Sequence, residues 1–298
     1  MLASSFRRLW GFAMPGNQQR QELGAFLRAR REGLRPEDVV LVAGSNRRRT
    51  PGLRREEVAE LAGIGVSWYT RLEQGKDVQL SPRALRGVAE ALRLGAAQRE
   101  YVFALARGET LGVEPAPTTT VGPTLQDVLD AQGANPAYIT DGRMNLLAWN
   151  RAALEIFGVF GRPFPEIPPE ERNILWLIFT DDSRHLLLDW ELHAQRVLAQ
   201  FRDVSRYFVD DPWYPAFVDK LKLHSGEFAA WWSRHDVGRV QATAKVIDHP
   251  AVGHIALKQT VLHVVDDNAA LYMIIYTPAP GTEAAERLAK LAADRHPG

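Results

Sequence analysis

The hydrophobic positions along the chain change period once, and the change divides the molecule. From residue 19 to 108 they recur at helical spacing. Leu23, Phe26 and Leu27 form one such stripe; Leu85, Val88, Ala89 and Leu92, at i, i+3, i+4 and i+7, form another. Ser81 and Pro82 supply an N-cap and a first helical residue for the latter. "AAQREYVFALARG" makes a further helix closed by Gly108. The pattern predicts five helices and no strand. Gly112 to Pro123 is rich in Pro, Thr and Gly and carries one charge, which reads as a linker. Beyond it "TLQDVLDAQ" is a short helix, and "AYIT" and "NLLAWN" flank an Asp-Gly turn, a hairpin signal. "RAALEIFGVFG" is a helical turn or two and "PFPEIPPEE" a loop; a helical pattern runs from Ile174 to Phe208, broken near Asp181–Ser183, and "PWYPAFVDKLKL" and "GEFAAWWSRHD" are further helices. After them the period becomes two: "VQATAKVI", "HIALKQTVLHVVD" and "LYMIIYTP" predict three strands. "EAAERLAKLAADR" predicts an exposed terminal helix. The expected fold is an all-α domain followed by an α+β domain with an antiparallel sheet and a helical insert. Its boundaries are a tail at 1–18, the helical domain at 19–111, the linker at 112–123, the α+β domain at 124–280 and a terminal helix at 281–298.

Two of the predicted helices form a recognisable pair. In "RREEVAELAG" the apolar face is Val58, Ala59, Leu61 and Ala62, and the small Ala59 lets another helix approach. Gly63 stops this helix, since glycine enters the left-handed conformation without a Cβ clash. In "VSWYTRLEQG" the inner face is Val66, Tyr69 and Leu72, and Gly75 is the stop. Two helices of about eight residues joined by a glycine turn make a helix-turn-helix. The second helix of that motif enters the major groove of DNA.

Charge sharpens this picture. The 298 residues carry 36 basic and 36 acidic side chains, but the balance is segregated. Residues 1–112 hold 19 Lys and Arg against 12 Asp and Glu; the remainder holds 17 against 24, with all eight histidines. A basic segment attached to an acidic one suits a polyanionic partner at one end only. Arg47, Arg48, Arg49, Arg54 and Arg55 precede and open the first helix of the pair, where a duplex backbone would pass. Arginine suits phosphate because its fork binds two oxygens at once. There is no cysteine, which excludes disulfides, thiolate nucleophiles and Cys-ligated zinc and fits a cytoplasmic protein. No run of 18 apolar residues predicts a membrane span, and the N-terminus lacks the apolar core of a signal peptide.

On "EEVAELAGIGVSWYTRLEQG", residues 19–108 resemble the xenobiotic-response-element type of helix-turn-helix, the phage-repressor class. By that resemblance Arg55 stands where the family touches phosphate or a base. Val66, Ser67 and Arg71 fall on groove-facing positions of the recognition helix, with Trp68 beside them. Arg71 suits guanine O6 and N7, Ser67 is less specific, and Val66 departs from the polar residue often found there. The ordered series "RRRTPGLRREEVAELAG", "SWYTRLEQG", "AYIT", "LLAWNRAALEIFG", "RNILWLIF", "WWSRHDV" and "HPAVGHIALKQ" resembles the MmyB-like transcription regulators over residues 19–278. That resemblance implies a ligand-binding domain with a PAS-like fold behind the DNA-binding one, associated with fatty-acid-like ligands. Proteins of this helix-turn-helix class commonly bind as homodimers on inverted repeats.

A sheet covered by helices encloses apolar space. Phe157, Phe160, Leu175, Trp176, Ile178, Phe179, Leu187, Trp190 and Phe201 would wall it from the insert; Ile255, Leu257, Leu262 and Ile274 would wall it from the strands. Plain core is the alternative reading of these residues. An apolar ligand with a carboxylate also needs a fixed cationic or donor group. Arg234 and His235 rank first for that role. Asn150 and Arg151, beside Trp149, rank second and Arg172 third. The first two have structural alternatives: an ion pair between Arg234 and Asp236, and an N-cap at Asn150.

Catalytic motifs are absent: no G-x-S-x-G, P-loop, H-E-x-x-H or dinucleotide fingerprint occurs. His185, Asp189 and His193 share a predicted helix face, but i to i+8 spans about 12 Å, too far for one metal ion. No enzyme, cofactor or metal is expected. Two other classes stay open: an enzyme using Arg234, His235 and Asp236 behind a DNA-binding module, or a DNA-binding protein whose C-terminal domain only dimerises.

Overall fold

The computed structural model describes residues 16–39, 52–79, 81–107, 121–157, 164–168, 171–180, 184, 187–238, 244–265 and 270–293. Residues 1–15, Arg47 to Arg49 and most of the linker lie outside them. The helical region comprises α1 (Asn17–Gly33), α2 (Arg55–Ala62), α3 (Val66–Glu73), α4 (Pro82–Ala91) and α5 (Ala96–Arg107). Then come α6 (Pro123–Asp130), β1 (Ala137–Asp141), β2 (Leu146–Trp149) and α7 (Arg151–Phe157). The insert continues with α8 (Ile174–Thr180), α9 (Trp190–Ser205), α10 (Trp213–His224) and α11 (Gly226–Trp232). Strands β3 (Ala244–His249), β4 (Gly253–Val265) and β5 (Ala270–Pro278) follow, and α12 (Ala284–Ala293) ends the series.

The chain forms two compact units. One holds Met1–Gly112 together with Ser205–Asp219 and Ala230–Gly238; the other holds Val113–Val204, Lys220–Ala229 and Arg239–Gly298. In the first, α2 ends at Gly63, whose φ of 64° carries the chain into the turn while its N–H bonds the Glu60 carbonyl at 3.1 Å. α1 passes so near α3 that a Cβ on Gly24 would lie 2.6 Å from the Glu73 carbonyl oxygen, so only glycine fits there. Val58, Ala59, Tyr69 and Leu72 are buried as their spacing predicts. Leu61 and Val66, expected on the inner faces, are 38% and 39% exposed, because each eight-residue helix touches its neighbours along a strip too narrow to cover them.

Two segments that the sequence places in the α+β domain complete this unit. The Asp210 carboxylate accepts the Gln19 amide in the first turn of α1, a helix whose own N-cap, Gly16, has no side chain to offer. Burial raises the Asp210 pKa against the lowering effect of that amide and of Arg20. Arg30 meanwhile donates through Nη2 to the carbonyls of Arg234 and His235 and to the Asp236 carboxylate, at 3.1, 2.9 and 2.8 Å.

The second unit is built on an antiparallel sheet in the order β2-β1-β5-β4-β3. Two strands, an insert and three strands predict such a sheet: the hairpin β1–β2 joins the later meander through β1 and β5, whose register sets Tyr138 opposite Ile274. The strands alternate faces. Tyr138, Ile247, Ile255, Leu257, Ile274 and Tyr276 point to the face shared with α7 and α12; Ile139, Leu271 and Met273 point to the other, where Leu129 of α6 packs. The terminal helix departs from its expected exposure. Its Ala284 and Leu288 are buried in the first of these cores, so one stripe of α12 is packed and only the remainder faces water.

Candidate functional site

The first site is the outer face of α3. Its N-cap is Gly65, with no side-chain cap, so the leading backbone N–H groups remain open to an anion. Val66, Ser67 and Arg71 are exposed on that helix and Trp68 is half-buried. The Trp68 indole donates to the Gln79 carbonyl at 3.3 Å and Arg71 Nη2 to the Asp77 carbonyl at 3.2 Å, which orients both side chains beside the helix. Arg54 is exposed and opens α2, where its backbone N–H bonds Glu57 at 2.7 Å.

Arg55 opens α2, as its family position implies, with its side chain partly exposed. Its Nε donates to Glu73 at 2.7 Å, and Arg31 reaches the same carboxylate at 2.6 Å. The Glu73 side chain is fully buried, and Arg31 also bonds the Leu53 carbonyl. Burial would raise the pKa of Glu73, but hydrogen bonds from both guanidiniums and the charge of Arg31 hold it below the usual carboxylate range. The "LEQG" glutamate therefore ties α1, α2 and α3 together and fixes the angle at which α3 is presented. Burial and the adjacent carboxylate together push the Tyr69 phenol well up.

The second site is a cavity of about 160 Å³ inside the second unit. Its wall combines strand residues Tyr138, Val261, Tyr272, Ile274 and Tyr276 with Phe157, Ile167, Leu177, Ile178, Leu187 and Val197 from around the sheet. Of the expected wall, Phe157, Ile178, Leu187 and Ile274 do face it. Trp149, Trp176, Phe179 and Trp190 do not line it: Trp176 carries Lys220 over its ring at 4.3 Å, and Phe179 packs edge-on against Phe228 and Trp190. Leu262 is 47% exposed, on the sheet's other face.

None of the expected anchors lines the cavity. Arg234 and His235 belong to the first unit, where Arg30 holds their carbonyls. Asn150 is buried and fully used: its Oδ1 accepts from Ala137 and Ala153, and its Nδ2 donates to Leu129 and Asn135. That makes it a helix cap and a brace for β1. Arg151 pairs with Glu155 one turn along α7. Arg172 donates to the carbonyls of Ile167 and Pro165, and its guanidinium lies 5.7 Å from the Trp149 ring centroid.

Instead the polar groups of the cavity are Lys245, His193, Tyr138, Tyr276, Thr140, Asp141, Gln200 and Gln259. Lys245 Nζ lies 3.1 Å from Tyr276 Oη, which is 3.2 Å from Tyr138 Oη. Burial alone lowers the lysine to about 7. Lys245 is half-buried and lines the cavity. Burial, aided by Lys245 and Arg196, keeps the His193 pKa well below its usual value. Asp141 is occupied by the hairpin, accepting from the Arg143 and Asn145 amides and the Asn145 side chain at 2.8 to 2.9 Å. A signal for Lys245 existed in the sequence: it shares strand parity with the buried Ile247.

Among the described residues no cluster of His, Asp and Glu could hold a metal ion, and no helix is long and apolar enough to cross a membrane. The MmyB-like transcription regulator ligand binding domain matches residues 121–291, more than half the chain. A helix-turn-helix domain matches residues 22–102. No curated protein matches the chain.

Proposed function

Since the chain belongs to the MmyB-like transcription regulators, we propose that it is a DNA-binding regulator whose second domain takes a fatty-acid-like molecule into its cavity. The carrying observation is the largely apolar cavity itself, bounded by sheet and helices in the domain that the family assigns to ligand binding. Its 160 Å³ is below the ~300 Å³ at which ligand pockets commonly begin. Shorter acyl chains therefore enter first, and longer ones require the wall to move. The reading includes no enzymatic step, since a ligand that binds one DNA-competent arrangement better than another suffices to regulate. A tenfold change in DNA affinity needs only ~1.4 kcal/mol of such preference.

Val66, Ser67, Trp68 and Arg71 would meet the major groove and Arg54 the backbone, with Arg47, Arg48 and Arg49 adding phosphate contacts. One eight-residue helix reads few base pairs, so a homodimer on an inverted repeat, acting in the cytoplasm, completes the reading. Native mass spectrometry of the purified chain and of its organic extract reads oligomeric state and retained lipid together. Calorimetry of the delipidated chain with a fatty-acid series then tests the cavity. If no member of the series binds, the acyl-ligand reading fails.

A further inference from the structure

A lysine set half-buried into a largely apolar cavity wall needs an explanation. An ammonium moved out of water costs several kcal/mol unless an opposite charge meets it. No ion pair joins Lys245 to any described carboxylate, and nothing but burial moves its pKa. A methionine would fill the same space without that cost. The surroundings also favour a cation: Nζ lies 4.8 Å from the Tyr276 ring centroid and 5.6 Å from that of Phe157.

The groups facing it are all neutral or committed. From β5 and β1 come the Tyr276 and Tyr138 hydroxyls; burial pushes Tyr138 to about 12 and Tyr276 further up, so both stay protonated. From α9 comes His193, kept uncharged. Leu257 of β4 is its cross-strand partner, and Gln259 of the same strand lines the cavity. Asp141 spends its oxygens on the hairpin. The site thus brings one lysine and the two hydroxyls linked to it together on the wall of a largely apolar cavity.

We propose that Lys245, backed by Tyr276 and Tyr138, is the anchor for the carboxylate of the ligand, and that it makes the cavity select a free acid over its neutral analogues. This rests on the acyl-ligand reading above. In the empty site burial holds the ammonium near neutrality; a carboxylate beside it in a water-poor chamber favours the charged form again. Binding above pH 7 therefore draws one proton from solution. Affinity for the acid is flat while the free lysine is charged and falls about tenfold per pH unit above it. An alcohol of the same length draws no proton and shows no such fall.

The test is calorimetry of the delipidated full chain with decanoic acid and decan-1-ol, at pH 6.5 and 8.5, in buffers of differing ionisation enthalpy. The wild type should prefer the acid by about tenfold or more at pH 6.5, lose most of that preference at pH 8.5, and take up close to one proton per acid there. Lys245→Met should lose the preference for the acid at both pH values and bind the alcohol at least as well. Equal binding of acid and alcohol by the wild type overturns the anchor while leaving the cavity reading intact. Binding of neither probe overturns the acyl-ligand reading beneath it. The wild-type comparison and its pH dependence decide the matter even if the variant fails to fold.

Discussion

Arg30 holds Asp236 across 206 residues of sequence, with Nη2 2.8 Å from the carboxylate, and grips the two preceding carbonyls with the same nitrogen. The turn it clamps is unusual, since His235 sits at a φ of 51°, in the left-handed region that a side chain disfavours. Arg30 is one-fifth exposed and Asp236 about half, so the ion pair by itself is weak. The carbonyl bonds carry more. Arg30→Ala should cost ~1–3 kcal/mol in thermal unfolding, and Asp236→Ala less than ~1. Hydrogen exchange should quicken at the Arg234 and His235 amides in the former. Unchanged exchange there would remove the clamp.

Glu73 is buried with two guanidiniums on it. Glu73→Ala would leave the buried Arg31 with only the more exposed Glu32 carboxylate, at a cost of ~3 kcal/mol. Circular dichroism on chemical unfolding should show this loss. Glu73 also sets an acid limit. Its folded pKa lies below its unfolded one, so the stability it contributes is complete above the ordinary carboxylate range. That stability drains as pH falls through the folded value. Glu73→Gln should flatten the stability profile from the ordinary carboxylate range downward; an unaltered profile would contradict the depressed pKa.

Arg71→Ala should weaken operator binding by ~1–3 kcal/mol and relax preference at one base pair. Arg55→Ala should behave otherwise, because its guanidinium is engaged with Glu73. It should lower stability with little change in the salt slope of DNA binding. Should the slope instead fall by about one, Arg55 is reaching a phosphate.

The helix-turn-helix was legible because its signals are local: Ala59 for close packing, Gly63 and Gly75 for the stops, Tyr69 and Leu72 for the inner face. The strand order followed from period-two runs and an Asp-Gly turn. Which polar groups line the cavity was not legible for a physical reason. "WWSRHDV" carries the right chemistry, but the partner of its turn is Arg30 on α1, which no local pattern reveals. A lysine in "ATAKVI" reads as a solvent-facing residue unless its parity with Ile247 is set against the burial of that residue. Even then, the two tyrosines beside it come from strands far off in sequence.

The completion of the first unit by Ser205–Asp219 and Ala230–Gly238 has a consequence for synthesis. A ribosome that has just released Arg107 has made every helix of the DNA-binding region, yet Asp210, which caps α1, and the turn that Arg30 holds do not exist. At about 5–20 residues per second, roughly 130 residues and some 7–26 s separate the two events. During that interval the nascent chain presents α1 uncapped and Arg30 without its acceptors. Stop codons placed after Arg107 should therefore yield a less stable helical product than the same residues within the whole chain.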